Sequence, residues 1–435
     1  MTQTSSQTSS RHHQWRGVAA AACFAAALAG SAMHPGLVQA QEPGLTLDAA
    51  RRLAAQSSPS LIAARAAVEA AAGRERQAGA FPNPILSYGH EQTSGEGSRT
   101  SQNIAALEQR VEVGGQRSAR VAAARLRREA AEARLAAAEA DLKLEVTSAY
   151  ASARAAARRA ELAASAAAKF ERAVAVMNQR LAAGDVSGYE ARRVRLEAAR
   201  YAALAAQAQL EQRATLVRLA QLLGAAPDMN LALLVAIDTA ANRILTLPPD
   251  SVVAIALTRD PQLMASALDA QAAEADARLA RRERIPTPSL LAGYKNERIN
   301  DEPTASGFVA GIALPVPLWD RLGGARQAAE ADARRVAAEV ETARRATTSE
   351  TLAALEAVRR AETQVAALSS SLGAEASAAL RAAEAAYTEG EITLIEWLDA
   401  VRAYQEAETA YAAVLAESFT QRARLERMLG IALIQ

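Results

Sequence analysis

Hydrophobic and polar positions alternate with a period of two in two regions of the chain, one in each half. In the first region Ser87 separates Leu86 from Tyr88, and the alternation resumes after a polar loop rich in glycine and serine. Such alternation indicates β-strands with one apolar and one polar face. The sequence therefore predicts two β-hairpins, at about residues 84–113 and 288–318.

A long helical pattern follows each predicted β-hairpin. The stretch from Ser118 to Arg180 contains neither proline nor glycine over 63 residues (180 − 118 + 1). A single helix of that length would extend roughly 95 Å at 1.5 Å per residue, which is too long for a compact domain. A break then reverses the chain, so we expect antiparallel helical hairpins at about residues 115–224 and 325–430, with Gly373 as a possible irregularity.

Shorter helices are expected before each β-hairpin. In the first half they are predicted at Thr46–Gln56, capped by Thr46 or Asp48, and near residues 59–78. The counterpart of the second of these helices is Asp260–Arg284. A Pro-x-Pro sequence follows in both halves and must end the helix, because proline lacks the backbone N–H and restricts the residue before it.

The same order of elements is therefore written twice. Gly184 and Gly390 are 206 residues apart (390 − 184), and Gly224 and Gly430 are also 206 residues apart (430 − 224). An internal repeat of this length indicates one structural unit used twice. We predict repeats at residues 41–224 and 247–435, joined by a linker at residues 225–246.

The first 40 residues have the features of an export signal. Arg11 and Arg16 precede the apolar stretch Gly17–Met33, and small residues surround an expected cleavage after Ala40. The apolar stretch is too short and too rich in alanine to serve as a convincing membrane anchor. Cys23 lies within this stretch, but lipid attachment there is disfavoured because no large aliphatic residue precedes it.

Composition limits the classes of function. The net charge is +1, with Lys+Arg 49 against Asp+Glu 48, which gives no basic footprint for nucleic acid. Aromatic residues make up 4% of the chain, and much of its hydrophobic content is alanine, which suits closely packed long helices. No Ser/His/Asp set, phosphate-binding glycine loop or His/Cys cluster is found, so the sequence predicts no enzyme, cofactor or metal site.

The predicted strands have roughly 9–11 residues, which is long enough to cross a bilayer when tilted. A hairpin on a soluble sheet would show the same alternation, but the export signal and the polar loop at each tip favour membrane strands. Four strands cannot close a barrel, and an open sheet edge is not tolerated in hydrocarbon. Three chains would supply twelve strands, so we expect a trimer with a twelve-stranded barrel and a matching cylinder of long helices. The expected fold class is mainly α with membrane β.

The duplicated layout, the Phe81–Glu91 strand start and the glycine at each helical reversal resemble the TolC-type outer membrane factors of Gram-negative bacteria. The likeness covers essentially the whole chain after the export signal. Two short runs, Leu107–Arg120 and Pro317–Ala325, look like the outer-membrane subunits of cobalt–zinc–cadmium or cobalt–nickel efflux systems. The resemblance implies that the trimer is a twelve-stranded outer-membrane β-barrel continued by a periplasmic α-helical barrel. It also implies a passive exit duct that docks onto a periplasmic adaptor and an inner-membrane RND pump.

The helical reversals are the parts that the resemblance implies for docking to the adaptor. Each reversal is a short run around a glycine, in one hairpin Gly184, Asp185, Val186 and Ser187, and in the other Gly390, Glu391, Ile392 and Thr393. Ordinary turn chemistry would also explain both glycines, because glycine readily adopts positive φ where a helix ends.

Acidic residues beyond the reversals are candidates for the channel entrance. Glu190 and Glu396 are again 206 residues apart, so a trimer would hold six such carboxylates, and carboxylate rings in a narrow pore favour cations. The resemblance also assigns Asp399 and Tyr387 to the entrance. The position of the family's gate arginine is occupied by Ile392 in this chain. Closure of the channel would therefore need other contacts, such as Arg192 or Arg193 with Asp399.

Less specific explanations stay open. Glu190 and Glu396 could belong to a solvated helix face, His90 is more plausible as an incidental residue than as a metal ligand, and Trp397 is expected to pack. Trp319 suits either an aromatic girdle at a membrane interface or a plain turn. An exit duct for drugs or secreted proteins, or a pore-less periplasmic coiled-coil protein, are the alternative functions.

Overall fold

The computed structural model describes residues 45–224, 248–369 and 374–433. The expected export signal, the linker at residues 225–246 and Gly373 lie outside the described residues. The helices are α1 Leu47–Ser57, α2 Pro59–Ala78, α3 Gln116–Ala183, α4 Gly188–Leu223, α5 Pro249–Arg259, α6 Pro261–Glu283, α7 Gly323–Leu368, α8 Ala374–Glu389 and α9 Leu394–Leu429. The strands are β1 Ile85–Gly95, β2 Ser98–Arg110, β3 Ser289–Ile299 and β4 Ala305–Ala313.

Local sequence explains where the short helices begin. The Thr46 side chain accepts a hydrogen bond from the Ala49 N–H at 3.2 Å and caps α1, as predicted. Asp260 accepts from the Gln262 N–H at 2.9 Å and caps α6. Both side chains satisfy backbone donors that the first helical turn leaves without partners.

The four strands form one antiparallel sheet in the order β1-β2-β3-β4. The two predicted hairpins are joined through β2 and β3, which pair from Thr100↔Ile299 to Arg110↔Ser289. At Gly293 a Cβ atom would lie 2.7 Å from the Ala105 carbonyl oxygen, so the two hairpins approach each other more closely than a larger residue would allow. A small sheet therefore ties together segments from both repeats.

Two strands end earlier than the sequence predicted. β2 ends at Arg110 and β4 at Ala313, so residues 111–113 and 314–318 are not strands. Proline explains both differences, because Pro288 precedes the partner strand β3, and Pro315 and Pro317 follow β4 without backbone donors. Val111 still donates a single hydrogen bond to the Pro288 carbonyl at 2.8 Å.

The helices pack along α3, which is continuous over 68 residues, or about 100 Å at 1.5 Å per residue. It contacts α4, α6 and α9 along its length. Alanine provides most of its buried positions, which lets neighbouring helices approach closely. Within the described ranges, no helix is both long and apolar enough to cross a bilayer.

Candidate functional site

The two helical reversals have the same backbone structure. Gly184 ends α3 with φ 82°, and the Asp185 N–H donates to the Arg180 carbonyl at 2.9 Å. Gly390 follows α8 with φ 80°, and the Glu391 N–H donates to the Ala386 carbonyl at 2.8 Å. Both turns thus use a left-handed glycine and a bond that reaches back five residues, which closes the last helical turn.

A capping box begins the returning helix in each reversal. The Glu190 N–H donates to the Ser187 hydroxyl at 3.2 Å, and the Ser187 N–H donates to the Glu190 carboxylate at 2.9 Å. The second reversal repeats this arrangement between Thr393 and Glu396, at 3.3 and 2.7 Å. Each glutamate is therefore held at the start of its helix and satisfies a backbone donor there.

These hydrogen bonds also change the acidity of the two carboxyl groups. The backbone N–H and the hydroxyl of Ser187 lower the pKa of Glu190, because both stabilise its charged form. Thr393 lowers the pKa of Glu396 in the same way. Both carboxylates are consequently negative at neutral pH, and each is fixed in place by its own turn.

An apolar cluster, called the tip cluster here, lies behind the reversals. Its members come from α3, α4, α8 and α9: Ala166, Phe170, Ala173, Met177, Val194, Tyr201, Leu380, Leu394, Leu398 and Val401. Phe170 and Tyr201 stack with their ring centroids 4.2 Å apart. Val186 of the first reversal packs against the cluster, so that reversal is anchored to the helices behind it.

Tyr387 stacks on Trp397 beside the tip cluster. The ring centroids are 5.3 Å apart and the rings are inclined by 12°. This contact confirms the expected packing role of Trp397. It also shows that the Tyr387 ring, assigned to the entrance by resemblance, contacts α9 of the same chain.

Ion pairs connect the two helical hairpins near this cluster. Arg402 of α9 lies 3.3 Å from Glu197 of α4, measured from Nη2 to Oε2. Lys169 of α3 pairs with Glu384 of α8. Sequence reasoning missed both pairs, because periodicity places each residue on a helix face without showing which face of another helix it meets.

The ion pair of Asp399 within this chain differs from the closure contact with Arg192 or Arg193, which stays a prediction. Asp399 pairs with Arg402 at 3.3 Å, one turn further along the same helix. In the part of the chain that the structure describes, neither Arg192 nor Arg193 forms an ion pair, and both are exposed. The spacing of three residues on α9 explains the preference, because such residues are neighbours on a helix surface.

The described ranges contain no group of three or more His, Cys, Asp or Glu residues that could hold a metal ion. His90, on β1, instead shares a hydrogen bond with the Asn103 amide oxygen, and the two atoms are 2.7 Å apart. The reversals therefore offer charge at fixed points and no chelating site within one chain.

Comparisons with known proteins agree on one family. The signature of the family described as "Outer membrane efflux protein" matches residues 50–225 and 252–431. The cobalt-zinc-cadmium resistance protein CzcC of Cupriavidus metallidurans is 29% identical over 403 residues, covering 92% of this chain and 94% of CzcC.

Solved structures share the fold. The outer-membrane channel OprN superposes with a TM-score of 0.73 at 20% identity, covering 89% of this chain and 90% of OprN. CusC, whose structures concern folding and transmembrane channel formation, superposes with a TM-score of 0.67 at 19% identity, covering 89% of this chain and 92% of CusC.

Proposed function

Because the chain belongs to the outer membrane efflux protein family, we propose that it is the exit duct of a tripartite efflux system that exports divalent heavy-metal cations. In this proposal the chain performs no chemistry. It provides a passive path from a periplasmic adaptor and an inner-membrane RND pump to the exterior.

The open edges of the sheet support a trimeric barrel. β1 and β4 each pair with one neighbour, so each leaves one edge of backbone donors and acceptors without a strand partner among the described residues. Such edges are too costly in hydrocarbon, where no water can satisfy them. Three copies of four strands would close a barrel of twelve, and α3, α4, α8 and α9 would continue it as a helical cylinder. A pore-less coiled-coil protein does not account for a four-stranded sheet with two open edges.

The reversals suit contact with a partner protein. The residues Gly184–Ser187 and Gly390–Thr393 form matched turns at the end of each helical hairpin, and most of these residues are exposed. We place adaptor docking at these turns. The capping boxes hold the backbone of both turns within the single chain, and Val186 packs the first turn against the tip cluster. A turn that is already ordered in the free chain supports this assignment.

One observation carries the choice of cargo. Glu190 and Glu396 are held by the same capping box in both repeats, so a trimer would hold six charged carboxylates, two from each of three chains, at equivalent positions. Rings of carboxylates attract cations at a constriction. The likeness to CzcC, a protein named for cobalt-zinc-cadmium resistance, points to the same class of cargo.

The proposed duct can be tested with the chain lacking its first 40 residues. Purified in neutral detergent, it should have the mass of a trimer by light scattering corrected for detergent. In planar bilayers it should conduct cations in preference to anions. A monomer that stays in solution without detergent and forms no pores would overturn the proposal, whereas a trimeric pore that selects anions would overturn the cargo alone.

A further inference from the structure

The two faces of the sheet differ in chemistry. Even-numbered residues of β1, β3 and β4 and odd-numbered residues of β2 share one face, called the aromatic face here. Hydrogen bonds across this face confirm the register, from Tyr88 to Asn103 at 2.9 Å and from Asn103 to Asn296 at 3.0 Å. The opposite face carries the ion pair between Lys295 and Glu297.

Rows of paired residues on the aromatic face change character from the helical end of the sheet to the hairpin turns. The row nearest the helices holds Gln109, Leu290 and Ile312. The rows that follow are in turn apolar, largely aromatic, polar, and polar with one guanidinium: Leu86, Leu107, Ala292 and Ala310; Tyr88, Ala105, Tyr294 and Phe308; His90, Asn103, Asn296 and Ser306; Gln92, Ser101 and Arg298. Phe308 is 92% exposed and Leu86 76%, so the described residues leave these side chains uncovered.

This order matches the path from the hydrocarbon of a bilayer to its headgroups. Aromatic side chains concentrate at the interface of outer-membrane barrels, with polar groups beyond them. Arg298 is four residues beyond Tyr294 on β3, which is about 13 Å along the strand and about 10 Å along the membrane normal for a strand tilted by roughly 40°. That distance places its guanidinium in the headgroup layer.

A second guanidinium, that of Arg99, lies at the same height as the guanidinium of Arg298. Arg99 of β2 is one row further towards the hairpin turns, but its side chain reaches back to Gln92. It donates to the Gln92 amide oxygen in the amide orientation that satisfies both groups. Arg298 donates to the Thr304 hydroxyl at 3.2 Å. Arg99 and Arg298 are diagonal neighbours on adjacent strands, which places their Cβ atoms roughly 7–8 Å apart.

Neither guanidinium is neutralised within the described part of the chain. Arg99 and Arg298 are both exposed, and no carboxylate of that part lies within ion-pair distance of either. Lys295, three positions before Arg298 on β3, is paired with Glu297 on the opposite face at 3.1 Å. On the aromatic face, Arg99 and Arg298 therefore carry positive charge without an ion-pair partner in the described part of the chain.

We propose that Arg99 and Arg298 bind the phosphate groups of outer-leaflet lipids; this inference rests on the proposed placement of the sheet in the outer membrane. Arginine suits this role because its planar fork of donors matches phosphate oxygens in a bidentate manner. The remaining donors of each guanidinium, beyond those bonded to Gln92 and Thr304, are available to a lipid headgroup. A trimer would present three such pairs around its barrel.

Lipid binding to the purified trimer tests this inference. The probes are lipid A with two phosphates and the same lipid without phosphate, added to the protein in neutral detergent and followed by native mass spectrometry. The wild type should prefer the phosphorylated lipid. The double variant R99Q/R298Q should bind it about tenfold or more weakly, because it loses two sets of charge-assisted bonds. The variant K295Q, which removes a cation from the opposite face, should bind as the wild type does.

Several results would overturn the inference. Arg99 and Arg298 are excluded as the phosphate-binding residues if the wild type binds the two lipids equally. They are also excluded if the wild type and R99Q/R298Q bind the phosphorylated lipid equally. Full displacement of the lipid by inorganic phosphate at equal concentration would indicate a site for a free anion. Conductance in bilayers of zwitterionic lipid separates the proposals: a trimer that conducts without preferring phosphorylated lipid loses the lipid site alone. Normal conductance of R99Q/R298Q also shows that this variant has folded.

Discussion

Arg402 on α9 joins Glu197 on α4 across the two helical hairpins, with 3.3 Å between Nη2 and Oε2. The same guanidinium holds Asp399 through Nη1, also at 3.3 Å. Arg402 therefore connects a residue of the second repeat's proposed entrance to the helix of the first repeat. Its contacts lie next to Tyr201 in the tip cluster, where the hairpins pack on each other.

Removing this link should loosen the helical end of the duct. We expect Arg402→Gln and Glu197→Gln each to raise the resting conductance several-fold in planar bilayers, because the hairpins would separate more easily. The cost in unfolding free energy should stay at about 0.2–1 kcal/mol, since both side chains are partly exposed.

The control for this change is Arg345→Gln, which breaks an exposed pair with Glu341 within α7 at 3.0 Å. It should leave the resting conductance unchanged. If Arg402→Gln and Arg345→Gln conduct equally, the link between the hairpins does not restrain the duct.

The charge of Glu190 and Glu396 should govern block by divalent cations. Replacing both residues by alanine should weaken block by Co²⁺ or Zn²⁺, but this change also removes the capping boxes. Replacing both by glutamine keeps a side chain that can complete the capping box and removes only the charge. We therefore expect the double glutamine variant to lose block while its helix content stays at the wild-type value in circular dichroism.

The dependence of block on pH follows from the lowered pKa of both carboxyl groups. Since each folded-state pKa lies below the ordinary 4.5, block in the wild type should persist as the pH falls from 7 to about 4.5 and fade below that value. Block that disappears well above pH 4.5 would show that other groups bind the cation.

Asp260 should make the folded chain more stable at acidic pH than at neutral pH. Its side chain caps α6 and is 3% exposed as a residue, and burial raises its pKa above the ordinary 3.8. The folded chain thus holds this proton more tightly than the unfolded chain. The stability that comes from the protonated Asp260 side chain is present below pH 3.8. It is lost as the pH rises through the raised pKa.

Asp260→Asn keeps a good capping residue and removes the titration. We expect the unfolding temperature of this variant to vary less than that of the wild type between about pH 4 and 7, as measured by circular dichroism. Arg427 lies 3.8 Å from Asp260 and 2.7 Å from Asp141. Asp141→Asn is the control, because Asp141 shares this arginine but is half exposed. Parallel pH profiles for the wild type and Asp260→Asn would contradict this assignment.

Gly293 should be the sensitive glycine of the sheet. An added Cβ would meet the Ala105 carbonyl oxygen at 2.7 Å and the Ala106 Cβ at 3.0 Å, so the pairing of β2 and β3 must shift. We expect Gly293→Ala to destabilise the trimer by roughly 1–3 kcal/mol, the range for overpacked sites. The measurement is the temperature at which the trimer dissociates in detergent.

Gly307 offers the matched control, because it lies on the same face of the sheet and a Cβ there would meet nothing within 4 Å. Gly307→Ala should dissociate at the wild-type temperature. Equal losses in the two variants would mean that backbone freedom, and not space at Gly293, decides stability.

Much of the fold follows from local sequence. The Thr46 cap and the glycines at the two helical reversals act through neighbours within a few residues, so their patterns predict the structure directly. The strand ends followed less well, because the prolines before β3 and after β4 remove backbone donors, a loss that the alternating pattern does not reveal. Long-range pairs such as Arg402 with Glu197 depend on how α9 is rotated against α4, which helical periodicity does not determine.

The pairing of β2 with β3 has a consequence for biogenesis. Asn103 bonds to Asn296, which lies 193 positions further along the chain, so the central pair of the sheet forms only after this part of the second repeat has been synthesised. Until then the edge of β2 that pairs with β3 lacks its strand partner, and such long-range closure is slow. The order of synthesis therefore leaves the β1–β2 hairpin paired on one side only while the second repeat is being made.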